Sequence, residues 1–333
     1  MKEALFYEKG EDGKVRCLLC PHHCFIPQGG RGVCGVRENQ EGKLYSLVYG
    51  KLIAENLDPI EKKPIFHLYP ASTSYSIATV GCNLRCLHCQ NWEISQWKQG
   101  DIPGRERTPE EVVDMALRWG ARSISYTYTE PVIFMEFALD TAKIAKEKGL
   151  KNIFVTNGYA EKRTWEKILP YLDAANIDLK SFSEDFYREI CGGRLSPVLE
   201  SIKFLKVNGV WVEVTTLIIP TKNDSLEELE KIADFILSVS DEIPWHITAF
   251  YPAYRMLDLP PTPSSILRKT REMALRKGLK FVYTGNIPGE EGENTYCPSC
   301  GKLIIGRYGF RVTEINIKEG RCKFCNAKIP GIF

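Results

Sequence analysis

Seven short apolar runs, strung along residues 74–285 and separated mostly by amphipathic segments, limit what this chain can fold into more than any other feature. SYSIATV (74–80), RSISYTYT (122–129), KNIFVTN (151–157), AANIDLK (174–180), VWVEVTTLII (210–219), WHITAF (245–250) and LKFVYTG (279–285) have the length and β-branched or aromatic content of strands. Between most of them lie helix-period stretches such as TPEEVVDMALRWG, EPVIFMEFALDTAKIAKEKG and SLEELEKIADFILSV. The first and last open with Thr or Ser just ahead of Glu, as helix N-termini do. The alternation predicts an α/β fold whose parallel sheet closes, wholly or partly, into a barrel. In such a fold the chemistry sits at the C-terminal ends of the strands. A chain of 333 residues, 44% apolar, can bury that core and still carry one or two small modules.

Eleven of the 12 cysteines fall in three clusters, which in a reducing compartment read as metal ligands rather than a disulfide framework. Directly after the first strand, GCNLRCLHCQN (81–91) carries Cys82, Cys86 and Cys89 at the spacing C-x3-C-x2-C. Random placement would give that spacing about 0.016 times per chain. A structural zinc takes four protein ligands, whereas three thiolates on an iron–sulfur cluster leave one iron open to a substrate or cofactor. Upstream, CLLCPHHCFIPQGGRGVCGVREN supplies Cys17, Cys20, Cys24 and Cys34 for one metal in a closed, structural site. Zinc and a second iron–sulfur cluster both accept four thiolates, so its metal stays open. His22 and His23 read as loop residues beside Pro21. At the other end, CPSC (297–300) and CKFC (322–325) flank the period-two stretch KLIIGRYGFRVTEINI and predict a zinc ribbon on Cys297, Cys300, Cys322 and Cys325. Cys191 stands outside the clusters and reads as a small buried hydrophobe. The expected division is a Cys-rich module at 1–70, a barrel at 71–290 and the ribbon at 291–333.

Lys and Arg number 44 against 42 Asp and Glu, a net charge of +2, so there is no global basic field for nucleic acid. No run is long and apolar enough to span a bilayer, and MKEALFYEKGEDGK has no hydrophobic signal core. The expectation is a cytoplasmic protein with no membrane partner.

Cys82, Cys86 and Cys89, followed by Asn91, resemble the cluster loop of radical S-adenosylmethionine (SAM) enzymes, and GCNLRCLHCQN is similar to the branch containing pyruvate formate-lyase activating enzyme. The resemblance implies a partial (β/α)6 TIM-like barrel and a [4Fe-4S] cluster whose open iron takes the amino and carboxylate groups of SAM. It implies reductive cleavage to methionine and a 5′-deoxyadenosyl radical that abstracts hydrogen from a substrate, with the electron coming from a reductant such as ferredoxin or flavodoxin. Glu130, in SYTYTEP, corresponds to the acid that receives the SAM amino group, with Tyr128 and Thr129 replacing two glycines. Asn157, in VTNGY, corresponds to a ribose contact, and Asp178 and Lys180 of DLK to SAM contacts. His246, in PWHITAFYP, corresponds to a residue near SAM and substrate, and Thr215 stands where an Arg is expected. Read from the residues alone, Asp178 and Lys180 also suit an ordinary ion pair, His246 a hydrogen-bonded core residue, and Glu130 a charge at a helix N-terminus. The order of these segments, each at a strand end, favours the site.

Over nearly its whole length, from LCPHHC through DPIEKKPIFHLYP and FYPAYRMLDLPPT to the ribbon, the sequence resembles the AmmeMemoRadiSam-system radical SAM enzymes. That implies AmmeCR-type and Memo-type proteins as partners and leaves the substrate, small molecule or protein, unidentified. Two other readings stand beside it: an activase acting on a glycine of a protein partner, and a metal-stapled RNA- or protein-binding protein without catalysis.

Overall fold

The computed structural model describes residues 1–97, 100–287 and 289–333. At its centre eight strands lie side by side in chain order: β1 (Ala54–Pro59), β2 (Thr73–Ala78), β3 (Ser123–Tyr126), β4 (Lys151–Thr156), β5 (Ala174–Asp178), β6 (Trp211–Ile218), β7 (Trp245–Ala249) and β8 (Val282–Gly285). Neighbours from β2 to β8 are parallel. All seven expected strands are therefore present, one more than the six-stranded barrel the resemblance implies. The eighth, β1, runs antiparallel to β2 and belongs to the sheet, although the sequence reading left it in the N-terminal module. Its residues, AENLDP, are too polar for a core strand and end in proline, which an edge strand tolerates.

The connections carry α1 (Pro109–Arg118), α2 (Met135–Glu147), α3 (Lys162–Ile168), α4 (Ser196–Val207), α5 (Leu226–Val239) and α6 (Ser264–Lys277). The α1 start is a reciprocal cap: the Glu111 N–H donates to Thr108 Oγ1 at 3.2 Å, and the Thr108 N–H to Glu111 Oε2 at 2.8 Å. A cap of this kind contributes about 1 kcal/mol. Strands β3 to β5 are buried on both faces, with Ile124, Tyr126, Ile153, Phe154, Ala175 and Ile177 all in the core, as parallel sheets covered on both sides require.

Two flanking units are tied to this core by buried charge. In the first, Arg37 lies beside Glu136 of α2 at 2.6 Å and donates to Leu5 O at 2.9 Å, docking two small antiparallel sheets of the first 46 residues on that helix. In the second, the hairpin of β9 (Leu303–Tyr308) and β10 (Arg311–Ile315) joins Cys297 and Cys322 to Phe66, Phe281 and Tyr283 in one apolar cluster. Arg307 of β9 donates to Phe66 O at 2.9 Å and lies 4.0 Å from the Phe66 ring centre.

Candidate functional site

After β2 the chain turns through Gly81 at φ +96°, where a Cβ would stand 2.7 Å from Cys34 O. Only glycine lets the cysteine loop begin this close to the N-terminal module. Cys82, Cys86 and Cys89 then line a cavity of about 500 Å³. Its wall continues through Thr127 and Thr129 after β3, Thr156 and Asn157 at the end of β4, Asp178 and Lys180 at the end of β5, Thr215 and Leu217 of β6 and Thr248 of β7. Five successive parallel strands thus contribute to one cavity.

Donors converge on the sulfurs. The Leu84 N–H lies 3.4 Å and Asn157 Nδ2 3.7 Å from Cys82 Sγ, and Ser95 Oγ lies 3.1 Å from Cys89 Sγ. Burial pushes the Cys82 and Cys89 thiols up, whereas a hydrogen bond with Cys191 holds Cys86 below the usual thiol range. Cys191 is therefore a neighbour of the cluster loop, more than the core filler the sequence suggested. Two backbone bonds lash its segment to the loop, from Arg85 N to Cys191 O at 2.7 Å and from Leu87 N to Ile190 O at 2.9 Å. The three loop sulfurs are spread wider than the 4.8 Å that encloses all four ribbon sulfurs. One ion could not touch all three at bonding distance. A four-iron cluster, in which each sulfur takes its own iron, fits this donor set.

Lys180 and Asp178 meet at 2.8 Å in the same wall. Burial works against the Lys180 charge, but Asp178 and the thiols of Cys86 and Cys191 outweigh it and hold its pKa well above the usual value. The pair faces the cavity with charge of both signs.

Glu130 does not reach the cavity. It is fully buried, and its oxygens accept from Val132 N at 3.0 Å, Thr156 Oγ1 at 2.7 Å and Asn157 N at 2.8 Å. Burial raises its pKa to about 7 against these bonds. It caps the turn Pro131–Phe134 and fixes the β4 end from behind, so the helix-start reading describes its contacts. Tyr128, in place of a glycine, keeps a left-handed backbone at φ +64°. That strain, of order 1–3 kcal/mol, is held by Asn91 Nδ2 donating to Tyr128 O at 2.7 Å and by the Tyr128 hydroxyl donating to Asp58.

His246 is the clearest correction. It sits two residues before Thr248 on β7, on the same face but one layer deeper. There it bonds Glu213 Oε2 at 2.6 Å and stacks on Tyr283 with centroids 5.2 Å apart, outside the cavity wall. Glu213 also accepts from Phe66 N at 3.0 Å, His67 N at 2.9 Å and Trp211 Nε1 at 2.9 Å. Burial opposes its charge, yet His246 and these donors bring its pKa down to about 2.

Among the wall residues that the sequence reading did not single out are His88 and Phe310. His88, inside the cysteine motif itself, is buried with Nδ1 unpartnered, and burial lowers its pKa to about 3, leaving a neutral ring. Phe310, in the turn between β9 and β10, brings the C-terminal hairpin to the cavity. The ribbon sulfurs pair at 3.6 Å for Cys297 with Cys325 and 3.8 Å for Cys300 with Cys322. Cys17, Cys20 and Cys34 are buried and Cys24 half-buried, with Cys34 O against Gly81 of the cluster loop.

Residues 76–236 match the Radical SAM superfamily, and the chain carries a radical SAM domain. It is homologous to pyruvate formate-lyase-activating enzymes: that of Clostridium pasteurianum is 27% identical over 212 residues, covering 60% of this chain and 87% of that one. A radical SAM methyltransferase from Sphaerobacter thermophilus has a similar fold, with TM-score 0.51 at 14% identity over 68% of this chain and 71% of that one. More particularly, the chain belongs to the same family as the uncharacterized protein MJ0808 of Methanocaldococcus jannaschii, 51% identical over 332 residues and 99% of each chain.

Proposed function

We propose that this protein is a radical SAM enzyme of the pyruvate formate-lyase activating enzyme type, built on a partial (β/α) barrel, acting on a substrate still to be identified. The observation that carries the reading is that the three loop cysteines and the Asp178–Lys180 pair face one cavity at the strand ends. When bound, the cluster supplies an electron to SAM, whose cleavage yields methionine and a 5′-deoxyadenosyl radical that takes hydrogen from the substrate. Lys180 offers an ammonium and Asp178 a carboxylate to the complementary polar groups of SAM, and Asn157 an amide from the end of the neighbouring strand β4. Thr127, Thr129, Thr156 and Thr215 supply neutral hydroxyl donors and acceptors around them. Glu130 acts only by holding Thr156 and Asn157 in place. Membership of the AmmeMemoRadiSam system, with AmmeCR-type and Memo-type partners and a ferredoxin or flavodoxin reductant, is part of the proposal.

The ribbon is assigned zinc. With bonds of 2.3 Å, a tetrahedron of sulfurs has edges of about 3.8 Å, and the paired ribbon sulfurs lie at 3.6 and 3.8 Å. Homology to activating enzymes favours a second reading, in which the substrate is a glycine of a protein partner.

The test is anaerobic: reconstituted protein, reductant and SAM should release methionine and 5′-deoxyadenosine, slowly in the absence of substrate. Failure to form deoxyadenosine with the cluster spectroscopically intact would overturn the proposal and return the chain to the binding-protein reading. Deuterium exchange between cell fractions and deoxyadenosine then separates a small-molecule donor from a protein glycine.

A further inference from the structure

Four thiols near the cluster loop have no task in the proposed reaction. Cys17, Cys20, Cys24 and Cys34 form one group: Cys17, Cys20 and Cys34 lie in the apolar core with Cys24 packed against it, and the Cys17 N–H donates to Cys24 O at 3.0 Å. Three are buried, and burial, helped by the charges of Cys17 and Cys24, drives the Cys34 thiol up to about 11 against the Val36 N–H and Arg37. Yet backbone N–H groups are aimed at the sulfurs, from Leu19 to Cys17, His22 to Cys20 and Val36 to Cys34, and from Val33 to Cys24 at 3.4 Å. In the first three the donor lies two residues beyond the cysteine, the arrangement that Leu84 makes with Cys82 and Phe324 with Cys322. Donors of this kind favour thiolates, and thiolates crowded together in an apolar site require a cation to hold them.

Size selects the cation. A single tetrahedral zinc demands the close edges seen in the ribbon. Among the described residues, the ribbon is the one set of three or more ligand atoms lying within 4.8 Å of one another. The N-terminal four are wider than that, as are the three loop cysteines. Sulfurs bound to separate irons stand apart by the iron–iron spacing as well as by two bonds.

Position gives the group a use. Cys34 O abuts Gly81, the Arg85 guanidinium donates to Val33 O, and His22 Nε2 lies 2.6 Å from Asn83 O. Residues 22, 33 and 34 of the N-terminal module thus touch residues 81, 83 and 85 of the cluster loop. On the outer side, Cys24 is only half-buried, and Phe25 and Val33 beside it are 71% and 40% exposed.

We propose that Cys17, Cys20, Cys24 and Cys34 hold a second [4Fe-4S] cluster that relays electrons to the cluster on the 81–89 loop. A low-potential one-electron protein donor is oxidised at the Cys24 face. The N-terminal cluster gains that electron and passes it inward, with no bond made or broken and no proton moved. The existence of the second cluster is independent of the proposed function; its use as a relay rests on that reading.

The experiment counts metals in the anaerobically reconstituted full chain. Wild type should hold about eight irons and eight sulfides, and the variant Cys82→Ala/Cys86→Ala/Cys89→Ala about four of each, with a cluster EPR signal on reduction. Because that variant leaves the N-terminal module unaltered, its result does not hinge on whether N-terminal substitutions fold. If it is iron-free, and the wild type carries two zincs and four irons, the second cluster is overturned. Iron retained by this variant while wild type makes no deoxyadenosine would support the second cluster and sink only the proposed function. For the relay, Cys24→Ser should slow reduction of the loop cluster by reduced flavodoxin at least tenfold while leaving reduction by dithionite unchanged. Equal rates with flavodoxin would overturn the relay.

Discussion

Replacing Glu213 by Gln should destabilise the protein by an amount that depends on pH in a calculable way. The carboxylate is fully buried, and its pKa falls from 4.5 to about 2 because burial is outweighed by His246 and by donors from Phe66, His67 and Trp211. A folded-state pKa below the unfolded one contributes stability that is complete above the unfolded value and disappears as pH falls through the folded value. At 1.36 kcal/mol per pH unit, the contribution is about 3 kcal/mol at pH 7 and about 1.4 kcal/mol at pH 3. Glutamine keeps the shape and loses the charge, so the difference between wild type and Glu213→Gln should shrink by roughly half over that interval. Urea unfolding followed by tryptophan fluorescence reads it locally, since Trp211 donates to Glu213 at 2.9 Å and Trp245 is buried next to His246 in sequence. A difference that stays level from pH 7 to pH 3, or one below about 1 kcal/mol at pH 7, would refute the assignment of a charged anchor there.

Four further outcomes are expected. Lys180→Ala should weaken SAM binding about ten- to a hundredfold, the loss of a charge-assisted contact worth roughly 1.5–3 kcal/mol; unchanged affinity by equilibrium dialysis would remove Lys180 from the site. His246→Gln should lower unfolding stability and spare SAM affinity, because its ring bonds Glu213 outside the cavity; the reverse result would put His246 back at the substrate. Cys191→Val removes the thiol hydrogen bond to Cys86, so the loop cluster should titrate at a more negative potential in EPR-monitored redox titration, and an identical midpoint would make Cys191 mere packing. Stripping the ribbon metal should raise amide exchange across 295–329 and loosen Phe310 from the cavity wall, since binding energy there is folding energy; protection that survives metal loss would show the ribbon folds unaided.

The sequence revealed which segments carry chemistry more readily than which way their side chains point. Period-two alternation placed Asp178 and Lys180 on one face at a strand end, and both line the cavity. The same rule puts His246 on the inward face, but depth along a strand depends on how neighbouring strands are staggered and on the Phe66–His67 loop that seals the layer beneath, both long-range facts. Glu130 failed for a related reason: the turn at Tyr128 decides whether the acid faces the cavity or the strand behind it. Cys191 is remote in sequence from Cys86, and no local pattern joins them. Strand β1 was hidden because edge strands need no apolar alternation.

The last strand-like contact in the chain has a consequence for the order of events during synthesis. His67 Nδ1 meets Pro330 O at 2.7 Å across 263 residues, and Ile332 bonds the backbone of His67 and Tyr69 on both sides. A ribosome adding about 5–20 residues per second needs roughly 13–50 s to travel between those positions. Throughout that time the apolar loop Ile65–Tyr69 has emerged without its partner, and β1 to β8 can assemble only with that end uncovered. The loop is thus uncovered until residues 330–332 arrive, and a chaperone that shields Phe66 and Leu68 would act during that wait.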